Sequence, residues 1–191
     1  MNKPFSPLSG VRVLDLSRYL PGPFLTRILS DLGAEVIKVE PLRGEGMRWM
    51  PPHVHGVGAT FGGLQAGKDS IAVDLKDPAG AALVRALAMQ VDVLVEGFRP
   101  GKMHALGLGP QTLMADNPRL IVCSLTGYGQ TGPMADVAGH DLNYLARAGL
   151  LGLSGPAGAP PQVPATQVAD VGGGSLPGAI GVLAALIERD Q

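Results

Sequence analysis

An open, mostly parallel α/β sheet with helices on both faces is the fold class this sequence predicts, on three observations. Residues 11–39 read as strand, helix and strand, a βαβ unit whose crossover makes the two strands parallel. Short β-branched segments then keep alternating with Ala- and Leu-rich helical ones as far as residue 125. The 191-residue chain is 46% apolar and only 16% charged, which suits a globular protein with a sizeable buried core.

Val11-Arg12-Val13-Leu14-Asp15-Leu16 is the first strand. A turn from Ser17 to Gly22 follows, and Pro23 stands where a helix accepts a proline. Phe24, Leu25, Ile28, Leu29 and Leu32 share one helical face, and Gly33 ends it. Glu35-Val36-Ile37-Lys38-Val39 is the second strand, with Lys38 near its end. Residues 42–69 carry Gly, Pro and His with little periodicity and read as a long loop. Ser70 to Leu75 is a further strand, and Asp77 caps a helix from Pro78 to about Gln90. A strand at 91–95, helical pieces near 101–107 and 110–116, and a strand at 119–125 follow. Residues 150–167 form a Gly- and Pro-rich surface loop, and a last helix covers 173–188. Its Gly174, Gly178 and Gly181 make a small-residue stripe suited to close approach, beside an apolar stripe of Leu176, Ile180, Leu183 and Ile187.

Composition removes several function classes. A net charge of −1 and 4% aromatic residues argue against nucleic acid or an anionic membrane as partner. The single cysteine, Cys123, lies in a strand and cannot form an internal disulfide, which fits a reducing compartment and a cytoplasmic protein. Residues 1–7 have no apolar signal core. No stretch has the length of a membrane span, because the 176–187 run is short and holds Pro177, Gly178 and Gly181. His53 and His55 lack partners at metal-ligand spacing, so no metal site is expected. There is no internal repeat, no Gly-x-Gly-x-x-Gly at the first strand–helix turn and no Walker-type loop, so neither a nicotinamide dinucleotide nor a P-loop nucleotide is indicated.

Ligands of open α/β sheets sit beyond the carboxyl ends of the strands. Tyr19–Pro23, Glu96–Gly101 and Gly127–Pro133 fall there, together with Lys38. Lys38, Lys76, Arg99 and Lys102 can neutralise phosphates or serve as plain surface charges. His140 and Asp170, thirty residues apart, admit two readings. Asp141 and Asp170 can be simple helix caps, with His140 a half-exposed neighbour. Alternatively, an imidazole, a carboxylate and the N–H donors of Gly172-Gly173-Gly174 assemble what proton transfer beside a carbonyl needs.

Resemblance separates these readings. Residues 7–41, from Pro-Leu-Ser-Gly-Val-Arg-Val-Leu-Asp-Leu to Gly-Ala-Glu-Val-Ile-Lys-Val-Glu-Pro, resemble the N-terminus of the type III CoA-transferase superfamily. Val73-Asp74-Leu75-Lys76, Glu96-Gly97-Phe98-Arg99-Pro100-Gly101, Leu106-Gly107-Leu108-Gly109 and Thr126-Gly127-Tyr128-Gly129-Gln130-Thr131-Gly132-Pro133 do so too. Pro21-Gly22-Pro23-Phe24, Gly139-His140-Asp141-Leu142-Asn143-Tyr144 and Asp170-Val171-Gly172-Gly173-Gly174-Ser175 resemble its α-methylacyl-CoA racemase branch.

The resemblance implies that residues 1–191 are the N-terminal portion of a CoA-binding α/β large domain without the family's C-terminal small domain. His140 and Asp170 match the two bases flanking the α-carbon of a 2-methylacyl-CoA, with Asp141 orienting the histidine or capping its helix. CoA contacts fall to Lys38, Asp74, Leu75, Lys76, Gly97, Arg99, Gly127, Tyr128 and Gly129. The partner is an acyl-CoA thioester, with no cofactor beyond its CoA moiety. Two alternatives come with the family: a CoA-transferase using Asp170 as nucleophile, or a truncated or split half that binds CoA without activity alone. The resemblance also implies a homodimer, or association with a C-terminal half. Two departures stand out: Ala66 replaces an arginine expected near the CoA phosphates, and family members are about twice as long.

Overall fold

The computed structural model describes residues 5–191, so most of the stretch read for a signal core lies outside the described residues. Strand β1 (Arg12–Asp15) turns sharply into α1 (Pro21–Asp31), and β2 (Glu35–Glu40) returns parallel to β1. A 3₁₀ turn at Gly46–Trp49 and a short hairpin, β3 (His53–Val54) with β4 (Val57–Gly58), lead to α2 (Ala59–Gln65). Strand β5 (Asp69–Ala72), α3 (Pro78–Ala88) and β6 (Val93–Glu96) come next, then α4 (Lys102–Ala105), α5 (Pro110–Asp116) and β7 (Ile121–Ser124). Helix α6 (Asp141–Arg147) precedes a π-helical segment, Ala169–Ser175, which runs directly into α7 (Leu176–Arg189).

The main sheet has the order β5-β2-β1-β6-β7, and every pair in it is parallel. Strand order therefore reverses at β1, and the crevice at the carboxyl ends of β1 and β6 is the topological switch point where such sheets take ligands. Alternation along the strands feeds two cores. Leu14, Leu94, Val84 and Leu113 pack on the face covered by α3 and α5. Val13, Val93, Leu25, Leu29 and Val182 pack on the opposite face, under α1 and α7. Helices lie on both faces because strands buried on both sides need two covers.

Local signals explain several element ends. Asp77 accepts from the Ala79 N–H at 2.9 Å ahead of Pro78, which starts α3. Gly33 ends α1 in the left-handed region at φ +100°, where a Cβ would strike Ser6.

Three expectations need correction. Residues 42–69 are not one loop: they hold a 3₁₀ turn, a hairpin and α2, with Met47, Phe61 and Leu64 forming a small core of their own. Two-residue strands and a seven-residue helix with two glycines are too short to show a period. The last helix also starts earlier, because Ala169–Ser175 winds as a π-helix continuous with α7. Together they make 21 residues, long and apolar enough to cross a membrane by length and composition, which the interrupted 176–187 run concealed. One face of α7 packs into the domain through Ala179, Val182 and Leu186. Finally, Gly178 does not admit another backbone; the place of its Cβ is filled by the side chains of Leu25, Leu125 and Cys123, while Gly181 meets open space.

Candidate functional site

The β1–α1 turn rests on a buried ionic cluster. Asp15, fully buried at the end of β1, accepts from the Ser17 N–H at 2.9 Å and from Thr26 Oγ1 at 2.6 Å. Lys38 and Lys68 face the same carboxylate at 3.6 and 3.4 Å. Burial pushes Asp15 up, and the two ammonium groups with the Ser17 and Thr26 hydroxyls overcome that and hold it below the usual carboxylate range. Lys38 Nζ also lies 3.3 Å from Glu45 Oε2 and donates to the Ser17 carbonyl. Two carboxylates and two ammonium groups balance, as buried charges require.

Beyond this turn, at the switch point, lies a cleft of about 400 Å³. Leu16, Val39, Val73, Leu75, Phe98 and Leu106 give it an apolar lining, and Arg18, Lys76, Arg99 and Lys102 bring positive charge. The Arg18 guanidinium stacks over the Phe98 ring, 5.5 Å from its centroid. Arg99 donates to the Asp136 carbonyl at 3.0 Å, tying the cleft to the segment that leads to His140. An apolar floor with a cationic rim suits a flat heterocycle joined to phosphates.

The second half of the site forms where α6 meets the π-helical segment. His140 precedes α6, its N–H held by Asn143 Oδ1 at 2.9 Å. Asp141 Oδ1 accepts from the Asp170 N–H at 2.8 Å and so joins the two segments. Burial raises the Asp170 carboxyl above the usual range, the Asp141 charge raises it further, and only nearby His140 opposes them. The Tyr144 hydroxyl donates to the Gly139 carbonyl at 2.6 Å. Its ring occupies the places where a Cβ of Gly127 or Gly139 would stand, and it meets Tyr128 edge-on at 5.2 Å. Tyr19 stands edge-on to the His140 ring at 6.4 Å. An imidazole beside a carboxyl that keeps its proton to higher pH can both take and give protons. Among the described residues no group of three His, Cys, Asp or Glu side chains converges on a metal position.

The sequence profile of CoA-transferase family III matches residues 8–191. The chain belongs to CoA-transferase family III. It is 46% identical to mouse succinyl-CoA:glutarate CoA-transferase over 186 residues, covering 96% of this chain and 42% of that protein. It is 43% identical to mouse alpha-methylacyl-CoA racemase over 184 residues, covering 96% of this chain and 45% of that protein. The crystal structure of a CAIB/BAIF family protein from Brucella suis superposes with a TM-score of 0.92 at 39% identity, covering 97% of this chain and 50% of that one. The chain thus spans about half the length of the relatives it matches.

In this family III chain the sequence-predicted residues fall in different places. Asp74, Leu75, Lys76 and Arg99 line the cleft. Gly127, Tyr128 and Gly129 belong to the segment beside Tyr144 and His140, away from the cleft lining. Gly97 lies between Ser17 and Leu125, where a Cβ would touch both at 3.8–3.9 Å. Lys38 departs most from expectation. It borders the cleft, yet its ammonium is 1% exposed and committed to Asp15, Glu45 and the Ser17 carbonyl. Its partners arrive from two other segments, and the charge pairing turns the ammonium inward, where it is engaged below the cleft. Asp170 does not cap a helix that begins after it; it lies within the first turn of the π-helical segment. Tyr19 and Phe98 belong to segments that the sequence places at the ligand edge of the sheet, whereas Arg18 and Tyr144 have no role of their own in the sequence reading. Arg18 lies three residues after β1 at the carboxyl edge of the sheet, which is the signal that could have found it.

Proposed function

We propose that this chain carries the CoA site and the two bases of an α-methylacyl-CoA racemase-like epimerase. The observation that carries the reading is His140 beside an Asp170 carboxyl raised above its ordinary range, the two held together by the Asp141 bond to the Asp170 N–H. One base removes the C2 proton of a 2-methylacyl-CoA, the charge moves onto the thioester oxygen as an enolate, and the other base returns a proton to the opposite face. Substrate and product differ only in configuration, so no oxidant or second substrate is needed. Arg18, Lys76, Arg99 and Lys102 answer the CoA phosphates, and the Phe98 side of the cleft answers the adenine.

The test is incubation with a 2-methylacyl-CoA in deuterated water. Deuterium enters C2 with the parent chain, and His140→Ala or Asp170→Ala abolishes entry. Normal exchange in both variants overturns the proposal.

A second reading, CoA transfer between carboxylic acids through an aspartyl anhydride on Asp170, is favoured by the identity to the mouse transferase. It predicts a hydroxylamine-trappable adduct on Asp170 without C2 exchange. His140 speaks for the first reading, because transfer of a proton from one face of C2 to the other uses a second base beside Asp170, whereas an aspartyl anhydride needs only the Asp170 carboxylate.

A further inference from the structure

Three consecutive side chains after β1 reach three different places. Arg18 lies over Phe98 in the cleft, Tyr19 stands edge-on to His140, and Leu20 packs with Met47, Phe61 and Leu64. The chain achieves this by reversing at Tyr19, whose φ of +65° lies in the left-handed region. An aromatic side chain disfavours that conformation, and it persists only where the surroundings over-determine it. Here the restraint comes from beneath. Glu45 Oε1 accepts the Tyr19 N–H at 2.7 Å, while the other Glu45 oxygen faces Lys38. Lys38 in turn bonds the Ser17 carbonyl, and Asp15 accepts the Ser17 N–H. The turn is pinned at both 17 and 19 by side chains that are themselves fully buried.

The fold does not require this ring. Tyr19 is 51% exposed, and glycine or asparagine would take the same φ with less strain. What the ring does touch is His140. It also sits one residue from Arg18, which lines the cleft. We propose that Tyr19 is a positioning residue: its ring, aimed by the Glu45-held turn, seats the His140 imidazole where the cleft meets the base pair. This rests on the proton-transfer reading of His140 and Asp170.

The experiment uses the full chain with two substitutions and two readouts. Tyr19→Asn keeps a residue that tolerates the left-handed turn and removes the ring, while Tyr19→Phe keeps the ring edge. In the NMR spectrum Tyr19→Asn changes the nuclear Overhauser contacts of the His140 ring protons with residues other than 19, a change that loss of the Tyr19 ring current alone does not produce, and leaves the signals of His53, His55 and His104 in place. In C2 exchange with a 2-methylacyl-CoA it lowers kcat roughly ten- to a hundredfold with KM unchanged, since a small misplacement of a base costs that much. Tyr19→Phe restores both. Unchanged His140 contacts in Tyr19→Asn overturn the inference, as does a loss confined to KM. If the parent shows no exchange while the His140 contacts still change, the positioning role stands and the proton-transfer reading fails.

Discussion

The backbone N–H of Asp170 donates to Oδ1 of Asp141 at 2.8 Å, so the residue next to His140 in sequence holds the other proposed base in place. The same carboxylate raises Asp170 by its charge, after burial has already done so. Asp141 therefore holds its partner's backbone and adds to the rise that burial gives its carboxyl.

Asp141→Asn separates these effects, because the amide oxygen still accepts the Asp170 N–H while the negative charge is gone. The Asp170 pKa falls, and the acidic limb of the C2-exchange profile moves to lower pH. Asp141→Ala loses the acceptor as well, which costs about 1 kcal/mol in urea unfolding. A limb that stays in place in Asp141→Asn would refute the electrostatic role.

Gly139→Ala places a Cβ 2.6 Å from Tyr144 Cε1. The ring or the His140 segment must then shift, and stability falls by about 1–3 kcal/mol. Tyr144→Phe loses only the bond to the Gly139 carbonyl, about 1 kcal/mol. Thermal unfolding that ranks the two variants the other way contradicts this geometry.

Glu40 governs acid stability. Burial pushes its carboxyl up, but hydrogen bonds from Arg48, Ser70 and the Glu45 N–H prevail and hold it at about 2. The folded pKa lies below the unfolded value of 4.5, so this contribution is fully present above pH 4.5 and is lost as pH falls toward 2. It amounts to about 2 kcal/mol, given solvent screening at the partly exposed Arg48. Arg48→Met flattens the loss of stability between pH 4.5 and 2 in denaturant titrations.

Lys68 acts at the other end of the scale. Burial lowers it most, and despite the Asp15 attraction it comes to about 8, against an ordinary 10.5. Between these values the unfolded chain binds more protons, so Lys68 makes stability rise with pH from 8 upward. Urea midpoints measured from pH 7 to 9.5 show this rise in the parent, and Lys68→Met removes it. An equal slope in the variant would show that another group titrates there.

Legibility followed the range of the interactions. The Asp77 cap, the prolines of α1 and α3 and the apolar runs of β1, β2 and β6 act within a few residues, and each is visible in the sequence. The hairpin at residues 53–58 and α2 were not, because neither is long enough to carry a period and both depend on packing around Met47 and Phe61.

By itself, the sequence determined a parallel α/β sheet and the carboxyl edge at which such a sheet takes ligands; it left His140 and Asp170 with two readings, between which the family resemblance chose. Tertiary structure alone decided where their neighbours point. Lys38 turns inward because Asp15 and Glu45, distant in sequence, supply its counter-charges. Tyr19 stands edge-on to His140 on a turn whose N–H Glu45 accepts, and Asp170 is raised because it is buried and because Asp141 is folded against it. Charge and direction at a site are set by contacts between segments far apart in the chain, and no local pattern of residue types encodes those contacts.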